Sequence, residues 1–560
     1  LLMAFSVKRW IFDFLTFYGR NSMKFRFSIL LLAFTAIISV KAQLPNIVLG
    51  RPTDTSITAS VLFDKSTEWY VEYGSSSGVY GSTSKTVKAE SGIPFELDIT
   101  GLQPNSRYYY RIQYNTGNAG YSQTPEYTFH TQRVKGSTFK FTIEADEHLY
   151  DKKGVRSLYQ ICLANQAAEK PDFMLSLGDT FGDDHNPFDI TSKELQDLHL
   201  DYRPFLGSIT HSIPFYFCLG NHEGEMDYYL LKNPGANLAV WGTLWRKFYY
   251  PNPYPNSFYS GNTNEEAYGI GTPENYYSWT WGDALFVVLD VYRDQCDTSA
   301  KPQNWNWTLG YSQYSWLKKT LEESTSKYKF VFAHHVRGQG RGAITNAKYF
   351  EWGGMDSKGG NQFDKYRPNW GKPIHQLFVD NGVNIFFQGH DHLFAHEVLD
   401  GVTYQECPMP SDSTYEIGKL ANADAYTSDT LGGSGHLTVT VSPQGVKVDF
   451  VTAYLPADTA IAGPHNRDIA FSYTVQSATG IQEETPTKEI AEMRIYDKSI
   501  QISNEYSNDE TTMTLINTLG NHIAHINGSI MNTESIASGH YMLVIKSSTG
   551  TVSKPICIIH

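Results

Sequence analysis

Ile213-Pro-Phe-Tyr-Phe-Cys-Leu-Gly-Asn-His-Glu223 is an apolar, aromatic-rich run that breaks into three polar side chains set on a glycine. A run of this length beside a proline reads as a buried strand. Polar residues at the carboxyl end of such a strand sit where open α/β sheets place their ligands. Taken alone, the stretch equally describes a strand leaving a core through an ordinary turn. Repetition decides between the two. Phe139-Lys-Phe-Thr-Ile-Glu-Ala145 runs into Asp146-Glu-His148, and Phe173-Met-Leu-Ser-Leu177 into Gly178-Asp179. Lys329-Phe-Val-Phe-Ala333 runs into His334-His335, and Asn384-Ile-Phe-Phe-Gln388 into Gly389-His-Asp-His392. Segments 155–169, 191–210, 312–324 and 374–381 have helical spacing and alternate with these runs. Ala284 to Asp290 adds a strand, and 436–441 and 445–450 read as closing strands. The alternation predicts an α/β layered domain with its polar clusters converging along one sheet edge.

That edge would gather Asp146, His148, Asp179, Asn221, His334, His390 and His392. These offer carboxylate and amide oxygens and imidazole nitrogens, with no thiolate. Such donors suit a pair of first-row cations (iron, manganese or zinc), bridged by one carboxylate with separate ligands on either side. A lone histidine at a strand end is more often structural than a ligand. Five such motifs in one order are hard to obtain by chance.

The flanks differ in kind. At 560 residues the chain is too long for one core, and two to four domains are expected. Net charge of −13 disfavours wide contact with nucleic acid, which needs clustered Lys and Arg. Met23-Lys-Phe-Arg26, the apolar run 29–40 and Val40-Lys-Ala42 predict a signal peptide, with residues 1–22 as an upstream extension and a mature start near Gln43. The run is too short to span a membrane. Residues 44–134 alternate as short strands. Within them Gly101-Leu-Gln-Pro-Asn-Ser-Arg-Tyr-Tyr-Tyr-Arg111 resembles the turn and tyrosine corner of fibronectin type III sandwiches. The five cysteines show no CxxC spacing; Cys162 and Cys218 read as core residues, and any disulfide among the others is unreadable. Residues 477–490 read as a polar linker. Residues 491–560 read as a further all-β domain, whose Arg494-Ile-Tyr-Asp and Ser538 to Ile545 segments resemble the C-terminal sorting domains of the type IX secretion route.

The ordered set Asp146-x-His148, Gly178-Asp179, Gly220-Asn-His-Glu223, His334 and Gly389-His-x-His392 resembles the calcineurin-like metallophosphoesterases. The likeness covers roughly residues 138–455 of a domain expected over 138–475, and implies a four-layer αββα sandwich. Asn275 to Asp290, and a fibronectin-like domain placed first, resemble purple acid phosphatases. Those enzymes carry a metal-binding tyrosine three residues beyond the Gly-Asp aspartate, where this chain has Gly182; it keeps His148 instead. The resemblance implies one metal on Asp146, His148, Asp179 and His392, and another on Asp179, Asn221, His334 and His390. His334 is preferred to His335, although the residue that follows the pair is Val336 rather than the family's proline. His222 is implied as the non-ligand group that binds the phosphoryl oxygens and protonates the leaving group, with hydroxide bridging the metals as nucleophile. Arg337 is a candidate phosphate contact, as is the loop Gly182-Asp-Asp-His185. The aromatic stretch from Trp241 to Tyr259 is a candidate cleft wall. The expected function is a secreted acid phosphatase-like phosphomonoesterase. Alternatives are a phosphodiesterase, a nucleotidase, or a cell-surface binding protein whose phosphoesterase domain is inactive.

Overall fold

The computed structural model describes residues 44–476 except 118–119, 186, 233–234, 297–302, 337–339, 460–462 and 464, and residues 493–558 except 497, 503–510, 518–520 and 548–549. The expected leader, the linker 477–490 and Arg337 lie outside the described residues.

The apolar runs form strands of two sheets. The first has six strands in the order Phe215–Phe217, Phe173–Ser176, Phe139–Glu144, Ser434–Ser442, Gly445–Ala453 and Ile469–Val475. Its first three are parallel, and Ser434–Ser442 joins them antiparallel. The second has eight strands, with Ala284–Val288, Tyr328–Phe332 and Ile385–Gln388 parallel at its centre. Strands covered on both faces need apolar residues at every position, which is why these runs show little alternation.

Which face each residue takes follows the two-residue period. Phe139, Phe141 and Ile143 meet Phe286, Phe330, Phe332 and Phe387 of the other sheet in a dry layer between the two. Phe141 packs edge-on to Phe286 at 5.1 Å, and Phe332 stacks on Phe387 at 5.1 Å, geometries that suit the ring quadrupoles. The opposite faces take the helices. Val287, Val331 and Phe386 pack against Leu317 and Leu321 of the helix Gly310–Glu323 and Leu377 and Phe378 of Ile374–Asp380. Met174, Phe215 and Phe217 pack against Tyr159 and Leu163 of Arg156–Glu169 and Tyr202 and Leu206 of Ser192–Thr210. The last helix opens with a reciprocal capping box between Thr191 and Glu194. The result is helix, sheet, sheet, helix. The expectation of one sheet edge is corrected: Asp146, Asp179 and Asn221 leave strands of the first sheet, and His334 and His390 leave strands of the second. Sequence alternation orders the strands but carries no mark of which sheet each joins.

The N-terminal domain has a three-stranded sheet built from Asn46–Gly50, Ser56–Leu62 and Phe95–Thr100, and a second sheet centred on Thr67–Gly74 and Arg107–Asn115. Trp69, Val71, Tyr110 and Ile112 fill the space between. The corner is present: the Tyr108 hydroxyl accepts the Gln103 N–H at 2.8 Å. This domain is stitched to the next one. Arg203, fully buried on the helix Ser192–Thr210, donates to the Ser60 carbonyl at 2.8 Å, to the Ser60 hydroxyl at 3.0 Å, and to the Tyr249 carbonyl. Tyr110 donates to the His211 carbonyl at 2.6 Å, and Tyr127 stacks on the His211 ring at 4.0 Å.

The aromatic stretch expected as a cleft wall belongs to this seam. Tyr249, Tyr250 and Tyr259 are buried. Tyr250 stacks on Phe181 at 4.7 Å, Tyr259 donates to the Pro52 carbonyl at 2.5 Å, and the Arg51 guanidinium lies 5.1 Å from the Tyr254 ring centre. Phe248 and Tyr254 of the same stretch are exposed, whereas burial removes Tyr249, Tyr250 and Tyr259 from any cleft. Their number reflects the large apolar area an aromatic side chain buries between domains.

Residues 493–558 form two further small sheets around Ile500, Met513, Leu515, Leu543 and Ile556. Among the described residues, no helix is long and apolar enough to cross a membrane.

Candidate metal centre

The strand ends bend sharply where the polar residues begin. Asp146, His148, Asp179, His390 and His392 all have φ between 45° and 81°. Asp and His tolerate this left-handed region better than branched residues do, and the bends turn their side chains back over the strand ends. Two loops touch backbone to backbone: a Cβ on Gly178 would lie 2.3 Å from the Gly220 nitrogen. Glu223 locks them. Its carboxylate accepts the N–H groups of Asp179 (3.0 Å), Thr180 (2.7 Å), Phe181 (3.3 Å) and Gly220 (2.6 Å). Burial, with Asp179 nearby, pushes the Glu223 carboxyl up to about 7. Sequence reading recorded Glu223 only as the last polar residue of its run; its placement after Asn-His was the available signal.

The bends bring together donors in overlapping groups: Asp146 with His148 and His392, Asp179 with His334 and His390, His148 with Asp179 and His222, and, on the rim, Asp184 with His185 and His222. The Asp146 Oδ1 atom lies 3.5 Å from His392 Nε2, 3.7 Å from His334 Nε2 and 3.8 Å from His148 Nε2. Asp179 Oδ2 lies 3.3 Å from His334 Nε2 and 4.0 Å from His148 Nε2, so it faces the first two groups. The other oxygen of Asp179 accepts the His222 N–H at 2.8 Å. The Oδ1 atoms of Asp146 and Asn221 are buried without a hydrogen-bond donor.

Outer partners fix the imidazole tautomers. His334 Nδ1 lies 2.8 Å from the Leu177 carbonyl and His392 Nδ1 2.9 Å from the Leu420 carbonyl. A carbonyl only accepts, so both Nδ1 atoms carry protons and both Nε2 lone pairs face inward. His148 Nδ1 lies 3.1 Å from Asp151 Oδ2 and 2.9 Å from the Tyr150 hydroxyl, with its Nε2 also inward. The His390 N–H donates to Asp146 Oδ2 at 2.7 Å. Between His390 and His392, Asp391 accepts from Arg341 Nη1, the Gly342 N–H and the Tyr426 hydroxyl, each at 2.8 Å, which braces that turn from behind. His335 sits beside this set, its ring 4.5 Å from that of His390.

Electrostatics bind the set together. Burial disfavours a charged Asp179, but the facing His334 and His222 rings outweigh it and hold the carboxyl well below its usual range. Burial likewise opposes protonation of His334, and Asp179 and Asp146 overcome it, pushing its pKa up to about 9. A cation bound here takes the place of such protons. Inward lone pairs, partnerless buried oxygens and nitrogen–oxygen donors fit first-row metal ions.

His222 stands on the rim. Its Nδ1 lies 2.5 Å from Asp184 Oδ1 and its Nε2 3.7 Å from Asp179 Oδ2. Burial works against its charge, yet Asp179 and Asp184 raise its pKa to about 10. Asp184 was legible only as part of a loop near the site; its pairing with a residue 38 positions away was not. Position 182 has no room for a side chain, since a Cβ there would lie 1.8 Å from the His222 carbonyl oxygen.

Residues 139–394 match the family Calcineurin-like phosphoesterase, and residues 44–131 match Purple acid Phosphatase, N-terminal domain. No curated protein matches the chain significantly. Among solved structures, one similar chain is purple acid phosphatase PPD1 from yellow lupin (Lupinus luteus) seeds, at 16% identity and a TM-score of 0.52, covering 77% of this chain and 74% of that one. Another is PhoD, at 17% identity and a TM-score of 0.53, covering 77% of this chain and 90% of that one. At these identities the likeness is one of fold. With the family matches and the donor clusters beside it, the chain is a metal-dependent phosphoric ester hydrolase, carrying a calcineurin-like phosphoesterase domain behind a purple acid phosphatase N-terminal domain.

Proposed function

We propose that this hydrolase is a phosphomonoesterase. One metal ion (iron, manganese or zinc) would be held by Asp146, His148, Asp179 and His392, and the second by Asp179, Asn221, His334 and His390. The observation that carries the assignment is a shared carboxylate layer: Asp179 Oδ2 and Asp146 Oδ1 each lie within 4.0 Å of both His148 and His334, with Asp179 making the shortest approach, 3.3 Å to His334. The match of the first domain to purple acid phosphatases favours a monoester substrate. Bound cations supply Lewis-acid charge to the phosphoryl oxygens and acidify the attacking water.

The chain's own residues then direct the leaving group. Asp184 accepts a hydrogen bond from the Nδ1–H of His222, which leaves the proton on Nε2, the atom turned toward the metal donors, free for transfer. As the bond from phosphorus to the ester oxygen breaks, that proton passes to the departing oxygen. Release of an alcohol and inorganic phosphate follows. Arg337 is a further phosphate contact in this reading.

Turnover of 4-nitrophenyl phosphate and bis(4-nitrophenyl) phosphate tests it, with and without chelator. The monoester is expected to turn over faster, and chelation to abolish both activities. Preference for the diester would make the chain a phosphodiesterase, and no turnover by metal-loaded protein would leave the binding-protein reading. A second outcome concerns colour. Glycine at 182 excludes the tyrosinate ligand of the purple enzymes, so iron-loaded protein is expected to lack an intense visible charge-transfer band. A violet absorbance would show another tyrosine on the metal.

Secretion completes the reading: the amino-terminal segment directs export, and the last domain, 491–560, engages type IX secretion machinery. Cell fractionation with and without residues 491–560 tests this, with retention of the shortened chain expected.

A further inference from the structure

His222 does not stand alone on the rim. The His185 ring lies nearly parallel to it, 5.1 Å away and tilted by 14°. Tyr150 stands 5.6 Å from His222 and 6.1 Å from His185. Asp183 fixes His185, accepting from its ring Nδ1 at 2.8 Å and from its backbone N–H at 3.1 Å. The loop therefore repeats one device in consecutive residues, with Asp183 holding His185 and Asp184 holding His222. His185 is no core histidine, because its side chain is 44% exposed. Its ring is anchored yet open to solvent.

Resting on the phosphomonoesterase reading, we infer that this site is built for an uncharged, planar leaving group: an aryl phosphate monoester whose ring lies against His185 and Tyr150. With Nδ1 of His222 committed to Asp184, the departing oxygen meets Nε2. Whatever is attached to that oxygen must run along the flank of His222, where the other two rings stand. Aromatic faces and edges attract a planar ring in offset or edge-on contact. An anchored ring loses little freedom when it makes that contact, which favours binding. Charge argues in the same direction. Asp183 and Asp184 lie on this flank beside His185 and His222, whereas Asp151, beside His148, is paired with Lys153 at 2.7 Å. A leaving group with its own phosphate or carboxylate would meet these acids, and like charges brought together are disfavoured. An alkyl group would escape the repulsion but gain no ring contact.

His185→Ala and His185→Phe test the inference, each compared with the parent enzyme on phenyl phosphate and on ethyl phosphate after metal loading. For His185→Ala, KM for phenyl phosphate is expected to rise ~2–10-fold with kcat unchanged, the span of an aromatic contact. Ethyl phosphate should keep both constants, and His185→Phe should restore the parent KM for phenyl phosphate. Equal rises in KM on both esters would overturn the inference, as would no change on either. A fall in kcat on both esters would also overturn it, since His185 would then act by holding His222. If the metal-loaded parent hydrolyses neither ester, the phosphomonoesterase reading fails first and takes this inference with it.

Discussion

Asp179→Asn is expected to strip tight metal binding from both positions and to lower turnover of 4-nitrophenyl phosphate by more than ~100-fold, beyond the 10–100-fold that changes to outer partners cost. The expectation rests on the place of this carboxylate. Its Oδ2 atom faces His334 on one side and His148 on the other, and its Oδ1 atom holds the His222 N–H. Asparagine keeps the size but removes the shared negative charge, which is the largest attraction two neighbouring cations can share. The fold should survive, because the clamp from Glu223 reaches the Asp179 backbone rather than its side chain. Metal content per chain, measured beside a thermal unfolding curve, separates the two effects. Two retained ions with normal turnover in Asp179→Asn would sink the dinuclear assignment.

The second large effect belongs to His222. His222→Ala is expected to keep both metal ions and to lose ~10²–10⁴-fold in kcat on an alkyl phosphate, the usual worth of general acid help. On a nitrophenyl ester the loss should be far smaller, since that leaving group departs without a proton. Asp184→Asn should fall between the parent and His222→Ala on the alkyl ester, because the amide oxygen can still accept the Nδ1–H but no longer lends the ring a negative charge. Equal losses on both esters would make His222 an electrostatic contact to the phosphoryl group. Loss of a metal ion would make it a ligand.

The donors themselves were legible because each one ends an apolar run, and a sheet turns such punctuation into proximity. Asp146, Asp179, Asn221, His334 and His390 could be placed by that rule, together with the layered α/β class. What held the donors in place was not legible. Glu223 works through four backbone N–H groups, three on the Asp179 loop and one on its own, and backbone groups carry no signature in sequence. Asp184 and Asp183 look like any polar turn until their histidine partners are placed. The aromatic stretch misled for a related reason. Exposed and buried tyrosines read alike, and only the packing of distant segments, Phe181 and Phe215 on Tyr250, His199 on Tyr249 and Pro52 on Tyr259, shows why these rings are covered. The division of the strands between two sheets was hidden in the same way, since parallel pairing is decided by contacts far apart in the chain.

Arg203 has a consequence for how the molecule comes apart. Its guanidinium lies on a helix of the phosphoesterase domain, yet two of its acceptors are the oxygens of Ser60 in the first domain. Opening the seam would cost Arg203 its two bonds to Ser60, hydrogen bonds from a charged group worth ~1.5–3 kcal/mol each. That is a large share of the 5–15 kcal/mol that holds an ordinary domain folded. The small sandwich is thus no detachable pendant but one cooperative unit with the catalytic scaffold. Amide protons in its strands and in the helix Ser192–Thr210 are expected to exchange through a common opening event, and nicking the first domain is expected to destabilise the second.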